Sequence, residues 1–195
     1  MSTRLRFATA RQVLDAFPRV AAEVGLRPGE EEPPLDFARK LIAAANRFDP
    51  IVFVACLLPR REAVWWGCQC VRALRETKAD EALVAAEAWV REPEEALRRA
   101  ALDIAVAGDI RLATTWLARA AGYSGGSITA EGAFPAPASP DATAINVKAA
   151  IVLAIVERPL AVVRPWIRAC ADAGVRFAEG GDAKVSTPAA QSGAA

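Results

Sequence analysis

Apolar residues recur at helical spacing along most of the chain. In "LDFARKLIAAANRF", which begins at Leu35, one stripe is formed by Leu35, Ala38, Leu41 and Ile42. No segment alternates apolar and polar residues between hairpin turns, and the only short strand candidate is "VRFA" at residues 175–178. The pattern therefore predicts an all-α fold of about seven to eight helices.

Capping residues and prolines mark where these helices begin and end. Thr9 is suited to cap the first helix, and Asp49 with Pro50 forms an N-cap and first-turn pair. Asp109 is the expected cap of a later helix. Pro165 lies inside the last helical segment, where it predicts a kink or a restart.

Short links between the helices predict that sequential helices are antiparallel neighbours. Two arrangements satisfy this: stacked helical hairpins, as in a solenoid, or an irregular bundle. We find no fixed internal repeat that decides between them.

The chain divides into three parts on composition. Residues 1–33 read as an N-terminal helical segment followed by an acidic, proline-rich linker, and residues 34–178 read as the main helical domain. Within that domain, residues 122–143 are rich in glycine, proline and serine and predict a long irregular loop. Residues 179–195 predict a disordered tail.

Charge and hydropathy narrow the class of protein. The formal net charge is +1, which gives no nucleic-acid footprint. The basic pairs Arg60-Arg61 and Arg98-Arg99 are interleaved with acids and read as solvated helix faces. The apolar runs are shorter than the roughly 18 residues that span a bilayer, and the N-terminus lacks an apolar signal core. We expect a soluble, cytoplasmic protein that does not bind membranes.

The residue types that carry most catalysis are scarce. There is no histidine, which removes the usual general base and the commonest metal ligand. The four cysteines have no zinc-site spacing and lie among apolar residues, so they read as buried thiols in a reducing compartment. We expect no cofactor, no metal and no catalytic residue, although a carboxylate enzyme stays a minor alternative.

Two adjacent tryptophans, Trp65 and Trp66, raise the main functional question. On a helical wheel Trp66 lies at the edge of the apolar arc, whereas Trp65 lies in the polar stripe with Arg61, Gln69 and Arg72. Trp65 therefore packs against another helix layer, forms a surface hot spot, or stacks on a ligand whose charge the arginines hold. A cation–π contact from Arg61 or Arg72 suits any of the three.

The stretch "YSGGS", which contains Tyr123 and Ser124, is a second candidate contact region. Its backbone N–H groups could cradle an anion. It follows a helix end, however, and a phosphate loop precedes a helix start. A helix C-cap that continues into a loop is the favoured interpretation.

Residues 38–73 resemble the signature stretch of an uncharacterised bacterial family of small helical proteins. The resemblance is carried by Phe48, by "LPRREAVWW" at residues 58–66 and by the cysteine two residues later. "WLARAAGYSGGSI" at residues 116–128 is similar as well, so the resemblance spans about residues 35–156. It implies an occurrence beside type VI secretion components in proteobacteria, and it implies no catalytic residue.

Together these observations favour a non-catalytic protein-interaction module: an adaptor, a chaperone-like protein or a scaffold subunit of a bacterial assembly. Its partner would be another protein, and the oligomeric state is left open, a homo-oligomer included. The alternative is a small-molecule or anion-binding helical module. The candidate contact residues for either are Trp65, Arg61, Arg72, Gln69, Tyr123 and Ser124.

Overall fold

The structure is a computed structural model that describes residues 4–44, 47–75, 80–130 and 132–188. These residues form ten helices and no β-strand, which confirms the all-α prediction. In chain order the helices are α1 (Ala10–Ala16), α2 (Pro18–Glu23), α3 (Pro34–Ala44), α4 (Asp49–Leu57), α5 (Arg60–Leu74), α6 (Glu81–Arg91), α7 (Glu95–Ala107), α8 (Ala113–Gly122), α9 (Ala142–Val156) and α10 (Leu160–Ala178). The count exceeds seven to eight because prolines divide the chain more finely: Pro18 begins α2 and Pro59 precedes α5.

Some of the predicted helix boundaries differ from the structure. Thr9 caps α1 in a capping box with Gln12, as expected. The prediction for Asp109 is wrong, because α8 begins only at Ala113 and the Asp109 carboxylate accepts from the backbone N–H of Arg111 instead. The strand candidate at residues 175–178 is also wrong, because it forms the last turn of α10.

Two predictions about prolines and their neighbours are also refined. α10 runs as one helix through Pro165, so there is no restart there. Asp49 is the first residue of α4 and not its N-cap, which is Phe48. The Asp49 carboxylate accepts a hydrogen bond from the Gly25 N–H at 2.8 Å, so it ties α4 to the chain after α2.

The helices pack as an irregular bundle around α9. α9 contacts α4, α5, α8 and α10, and α10 also contacts α3. In a solenoid each repeat contacts only its neighbours in sequence, which is not the case here. One continuous hydrophobic core extends from Ala10 in α1 to Val185 beyond α10.

The N-terminal helices and the residues after α10 share that core. Val13, Phe17 and Val20 are buried in it. Of residues 179–188, which are not helical, Ala183 and Val185 are buried. The remainder of the predicted disordered tail, residues 189–195, lies outside the described residues.

α5 and α10 meet in a tight seam. Trp66 is 0% exposed, and its indole N–H donates to the Cys170 carbonyl at 2.9 Å. At Gly174 a Cβ would lie 2.4 Å from a Val54 methyl carbon and 2.9 Å from the Trp66 ring. The seam therefore needs glycine at this position, because any larger residue would displace a neighbouring helix.

None of the helices in the described part of the chain combines the length and the apolar character that a membrane span requires.

Candidate functional site

Trp65 borders an open cleft at one end of the bundle. Its indole is half-buried and packs against the core, whereas the neighbouring Trp66 is wholly buried. The cleft has a volume of about 250 Å³, and we name it the Trp65 cleft. It is lined by Arg4, Arg61, Glu62, Trp65, Val90, Arg91 and Phe177.

Distant parts of the sequence build this cleft. Arg61 and Trp65 are four residues apart on α5 and so share a helix face. Val90 and Arg91 come from the C-terminal end of α6, and Phe177 comes from the C-terminal end of α10.

Two of the arginines are fixed because they cap helix ends. Arg61 donates from Nε to the Val90 carbonyl at 2.6 Å and from Nη2 to the Arg91 carbonyl at 3.3 Å. Arg4 donates from Nη1 to the carbonyls of Phe177 and Gly181, and its guanidinium carbon lies 4.2 Å from the centre of the Phe177 ring. Cations at the last carbonyls of a helix complement its dipole, so these contacts are stabilising in themselves.

The side chains that line the cleft carry a net positive formal charge. Among its described lining residues there are three arginines and one glutamate. A guanidinium has five N–H donors, and Arg61 uses only its Nε and Nη2 nitrogens in contacts with the described residues. Donors therefore remain for a ligand or a partner group beside the indole.

Arg72 and Gln69, also predicted as contact residues, do not line the cleft. Arg72 forms a two-point ion pair with the buried Glu87, with Nη2 at 2.8 Å from Oε2, and this hydrogen bonding raises the pKa of Arg72. Arg91 approaches the same carboxylate at 3.4 Å. Gln69 is half-buried on α5. The cation–π contacts of the described residues involve Phe7, Phe17, Phe177 and Trp116, and none involves Trp65.

Tyr123 and Ser124 lie in a loop that arginine side chains hold by its carbonyl oxygens. We name residues 123–141 the arginine-held loop. Arg60 donates to the Ser124 carbonyl at 2.7 Å, and Thr143 donates to the Tyr123 carbonyl at 3.2 Å. Arg99 donates to the Thr129 carbonyl at 2.6 Å. Neither Tyr123 nor Ser124 lines the Trp65 cleft.

Arg98 holds the base of this loop. Because Arg98 is buried, the prediction that Arg98-Arg99 forms a solvated helix face is wrong for Arg98. Arg98 is 3% exposed and donates to the carbonyls of Gly122 and Ser127, the latter at 2.9 Å. It also pairs with Glu95 and so lowers the pKa of that carboxyl. Gly126, with φ of 57°, packs against it, and a Cβ there would lie 2.8 Å from the guanidinium.

The four cysteines offer no accessible nucleophile. All of them are buried as free thiols, and burial raises the pKa of Cys56 and of Cys68 well above the ordinary value. In the described part of the chain, histidine, cysteine and carboxylate side chains form no group of three that could hold a metal ion. The side chains that line the Trp65 cleft offer positive charge and aromatic contact.

Trp65 and Arg61, both predicted as contact residues, line the cleft, and so do Arg4, Arg91 and Phe177, which the sequence analysis did not single out. Arg4 and Phe177 are 173 residues apart, so their contact follows from the fold and not from local spacing. One general rule could have indicated such contacts. The last backbone carbonyls of a helix need hydrogen-bond donors, and arginine side chains can supply them at the ends of α6 and α10.

Residues 37–178 match the model of DUF6931, a family of unknown function. No curated protein and no solved structure matches the chain.

Proposed function

The chain belongs to the family of unknown function DUF6931, and we propose that it is a non-catalytic protein-interaction module. Its Trp65 cleft receives a side chain that projects from a partner protein. The observation that carries this proposal is a half-buried indole framed by Arg4, Arg61 and Arg91. Tryptophan and arginine are the residue types most enriched where partner proteins are held tightly.

The size of the cleft favours a protein anchor over an enclosed small molecule. Pockets that bury a drug-sized ligand measure about 300–1,000 Å³. The Trp65 cleft, at about 250 Å³, is smaller and opens to solvent. It has room for one side chain, and flanking residues of the partner would rest on its rim.

The lining defines the chemistry of that anchor. The indole of Trp65 and the ring of Phe177 offer aromatic contact, and the arginines favour an acidic or aromatic group. Because Arg4 and Arg61 are already bound to helix carbonyls, they lose little further side-chain entropy when a partner docks. An aromatic residue with an acidic neighbour fits best.

We infer a cytoplasmic adaptor or scaffold subunit of a bacterial assembly. Four buried free thiols suit a reducing compartment. A link to type VI secretion rests only on the sequence resemblance.

A displayed library of random peptides, selected on the immobilised full chain, tests the proposal. We expect enrichment of peptides that pair an aromatic with an acidic residue, and we expect Trp65→Ala and Arg91→Gln to abolish their binding. The matched control is Arg158→Gln, which neutralises an exposed arginine outside the cleft. Enriched peptides that bind all three variants equally would place recognition elsewhere and overturn the proposal.

The arginines also favour the second candidate, an anion-binding module. Here the probes are phosphate, sulfate and citrate at millimolar concentration in a thermal-unfolding assay. A ligand in excess of its Kd raises the unfolding temperature by mass action. A rise that Arg91→Gln removes, together with no peptide enrichment, would assign the cleft to small anions.

A further inference from the structure

Phe134 is the most exposed large apolar side chain among the described residues. It is 96% exposed, compared with 88% for Leu160 and 72% for Val106. It lies in the arginine-held loop between Ala133 and Pro135. Single exposed apolar residues are common, so the exposure has meaning only if the backbone beneath it is ordered and a matching surface exists.

The backbone that presents Phe134 is well tied. Ile128 N–H donates to the Ala136 carbonyl at 2.8 Å, and Ala136 N–H donates to Ser127 Oγ at 3.1 Å. Thr129 Oγ1 donates to the Phe134 carbonyl itself at 3.0 Å. Arg98 and Arg99 hold the base of the loop, and the Phe134 carbonyl is itself hydrogen-bonded, so the ring is presented from tied backbone and less entropy is lost on docking.

A matching surface lies at the same end of the bundle. Arg60 and Arg61 are consecutive residues of the first turn of α5: Arg60 holds the loop at Ser124, and Arg61 lines the Trp65 cleft. The base of the loop that carries Phe134 and the Trp65 cleft therefore both adjoin the first turn of α5.

The ring fits the cleft in size and in chemistry. A cavity of about 150 Å³ holds a benzene molecule, so a cleft of about 250 Å³ has room for a benzyl group. Trp65 and Phe177 supply edge or offset ring contacts, and the arginines supply cation–π contacts. Residues 123–130 and 132–140 carry no charged side chain, so this part of the loop brings no cation against the arginine-rich lining.

We propose that the chain forms a two-fold homodimer in which Phe134 of each copy occupies the Trp65 cleft of the other. A two-fold axis pairs the same surface patch on both copies, so one interface makes the contact twice. This inference rests on the proposed role of the cleft as a protein-binding site and names a second copy as the partner.

Sedimentation velocity over a concentration series tests the dimer. We expect the wild-type chain to dimerise, and we expect Phe134→Ala and Arg91→Gln each to raise the dimer Kd by about tenfold or more, as the loss of a central anchor does. Leu160→Ala, which removes another strongly exposed apolar side chain, at the start of α10, should leave the Kd unchanged. A wild-type chain that stays monomeric, or a Phe134→Ala chain that dimerises normally, overturns the inference.

Mixing the variants gives a sharper test. Phe134→Ala keeps an intact cleft and Trp65→Ala keeps an intact Phe134, so a mixture of differently tagged chains should form a heterodimer with one working contact. Each variant alone should remain mainly monomeric. No heterodimer in the mixture, with both variants folded by circular dichroism, contradicts the pairing of these two surfaces.

The two proposals fail separately. If the wild-type chain is monomeric but the cleft still selects acidic-aromatic peptides, only the identity of the partner is wrong. If the peptides bind equally well without Trp65, the cleft is not the binding site, and both proposals fail.

Discussion

Two regions of this molecule are stabilised by different kinds of interaction. In the seam between α5 and α10, Trp66 and Gly174 allow close helix contact and leave no space. At the end of the bundle that carries the Trp65 cleft and the arginine-held loop, arginines bind carbonyl oxygens. One region depends on shape and the other on hydrogen bonds from charged groups.

The difference shows where the protein has capacity for recognition. Close-packed interiors gain stability from contacts that they cannot share with a partner. A guanidinium that caps a helix end uses some of its donors and keeps others. The arginines at the end of the bundle can therefore stabilise the fold and still bind a partner. The packed side chains of the seam cannot do both.

Trp66→Ala should have the largest effect on the free energy of unfolding. Truncation of a buried tryptophan costs about 3–5 kcal/mol, and here it also removes the hydrogen bond to the Cys170 carbonyl. Trp65→Ala, the matched change one residue earlier, should cost about 1 kcal/mol because that side chain is half-buried. Urea unfolding followed by circular dichroism measures both, and equal losses would contradict the contrast between the two faces of α5.

Arg98→Ala should cost about 2–3 kcal/mol, because it leaves the carbonyls of Gly122 and Ser127 without their donor. The control is Arg99→Ala, which releases the Thr129 carbonyl and a 3.4 Å ion pair with the exposed Glu95 carboxylate, and it should cost about 1 kcal/mol. Hydrogen exchange should show increased opening of residues 123–130 in Arg98→Ala. A loop protected as in the wild type would show that Arg98 does not hold it.

Gly174→Ala should destabilise the seam by about 1–3 kcal/mol, since the added methyl group overpacks it against Val54 and Trp66. Gly125→Ala is the matched change in the arginine-held loop, where a Cβ would meet nothing within 4 Å, and it should be nearly neutral. Thermal unfolding of the two variants measures the difference. A neutral Gly174→Ala would mean that the seam relaxes easily.

Glu95→Gln should have the smallest effect, and one that depends on pH. The pairing with Arg98 lowers the pKa of Glu95 below its ordinary 4.5, so its stabilisation is present above that pH and is lost as the pH falls through the lower folded value. Because the carboxylate is 62% exposed, the gain at neutral pH should not exceed about 1 kcal/mol. Urea unfolding should show that the wild type has a higher free energy of unfolding than Glu95→Gln at pH 7, and that this difference disappears towards pH 3. A difference that stays constant with pH would exclude the ion pair as its cause.

The helices were largely predictable because their signals are local. The stripe of α3, the cap at Thr9 and Pro50 in the first turn of α4 act within a few residues. Asp109 does not cap α8, because its carboxylate accepts hydrogen bonds from the Arg111 side chain instead. Residue propensities do not describe this competition between hydrogen-bond donors.

The candidate site was predictable only as far as one helix face extends. A helical wheel of α5 puts Trp65 and Trp66 on different faces of the helix and puts Arg61 on the same face as Trp65. It also grouped Arg72 with them, but Glu87 from α6 pairs with Arg72. Arg4 and Phe177 reach the cleft from the two ends of the chain, and that approach follows only from packing.

The positions of Arg60 and Arg61 matter for any partner that contacts both the arginine-held loop and the Trp65 cleft. Adjacent side chains on a helix diverge by about 100°, so a single turn of α5 positions the loop on one side and the cleft on the other. The spacing between the cleft and the base of the loop is thus set by a rigid helix instead of a flexible linker. A bivalent ligand built to that spacing would gain a high effective concentration at its second contact, whereas one of another length would engage only one of them.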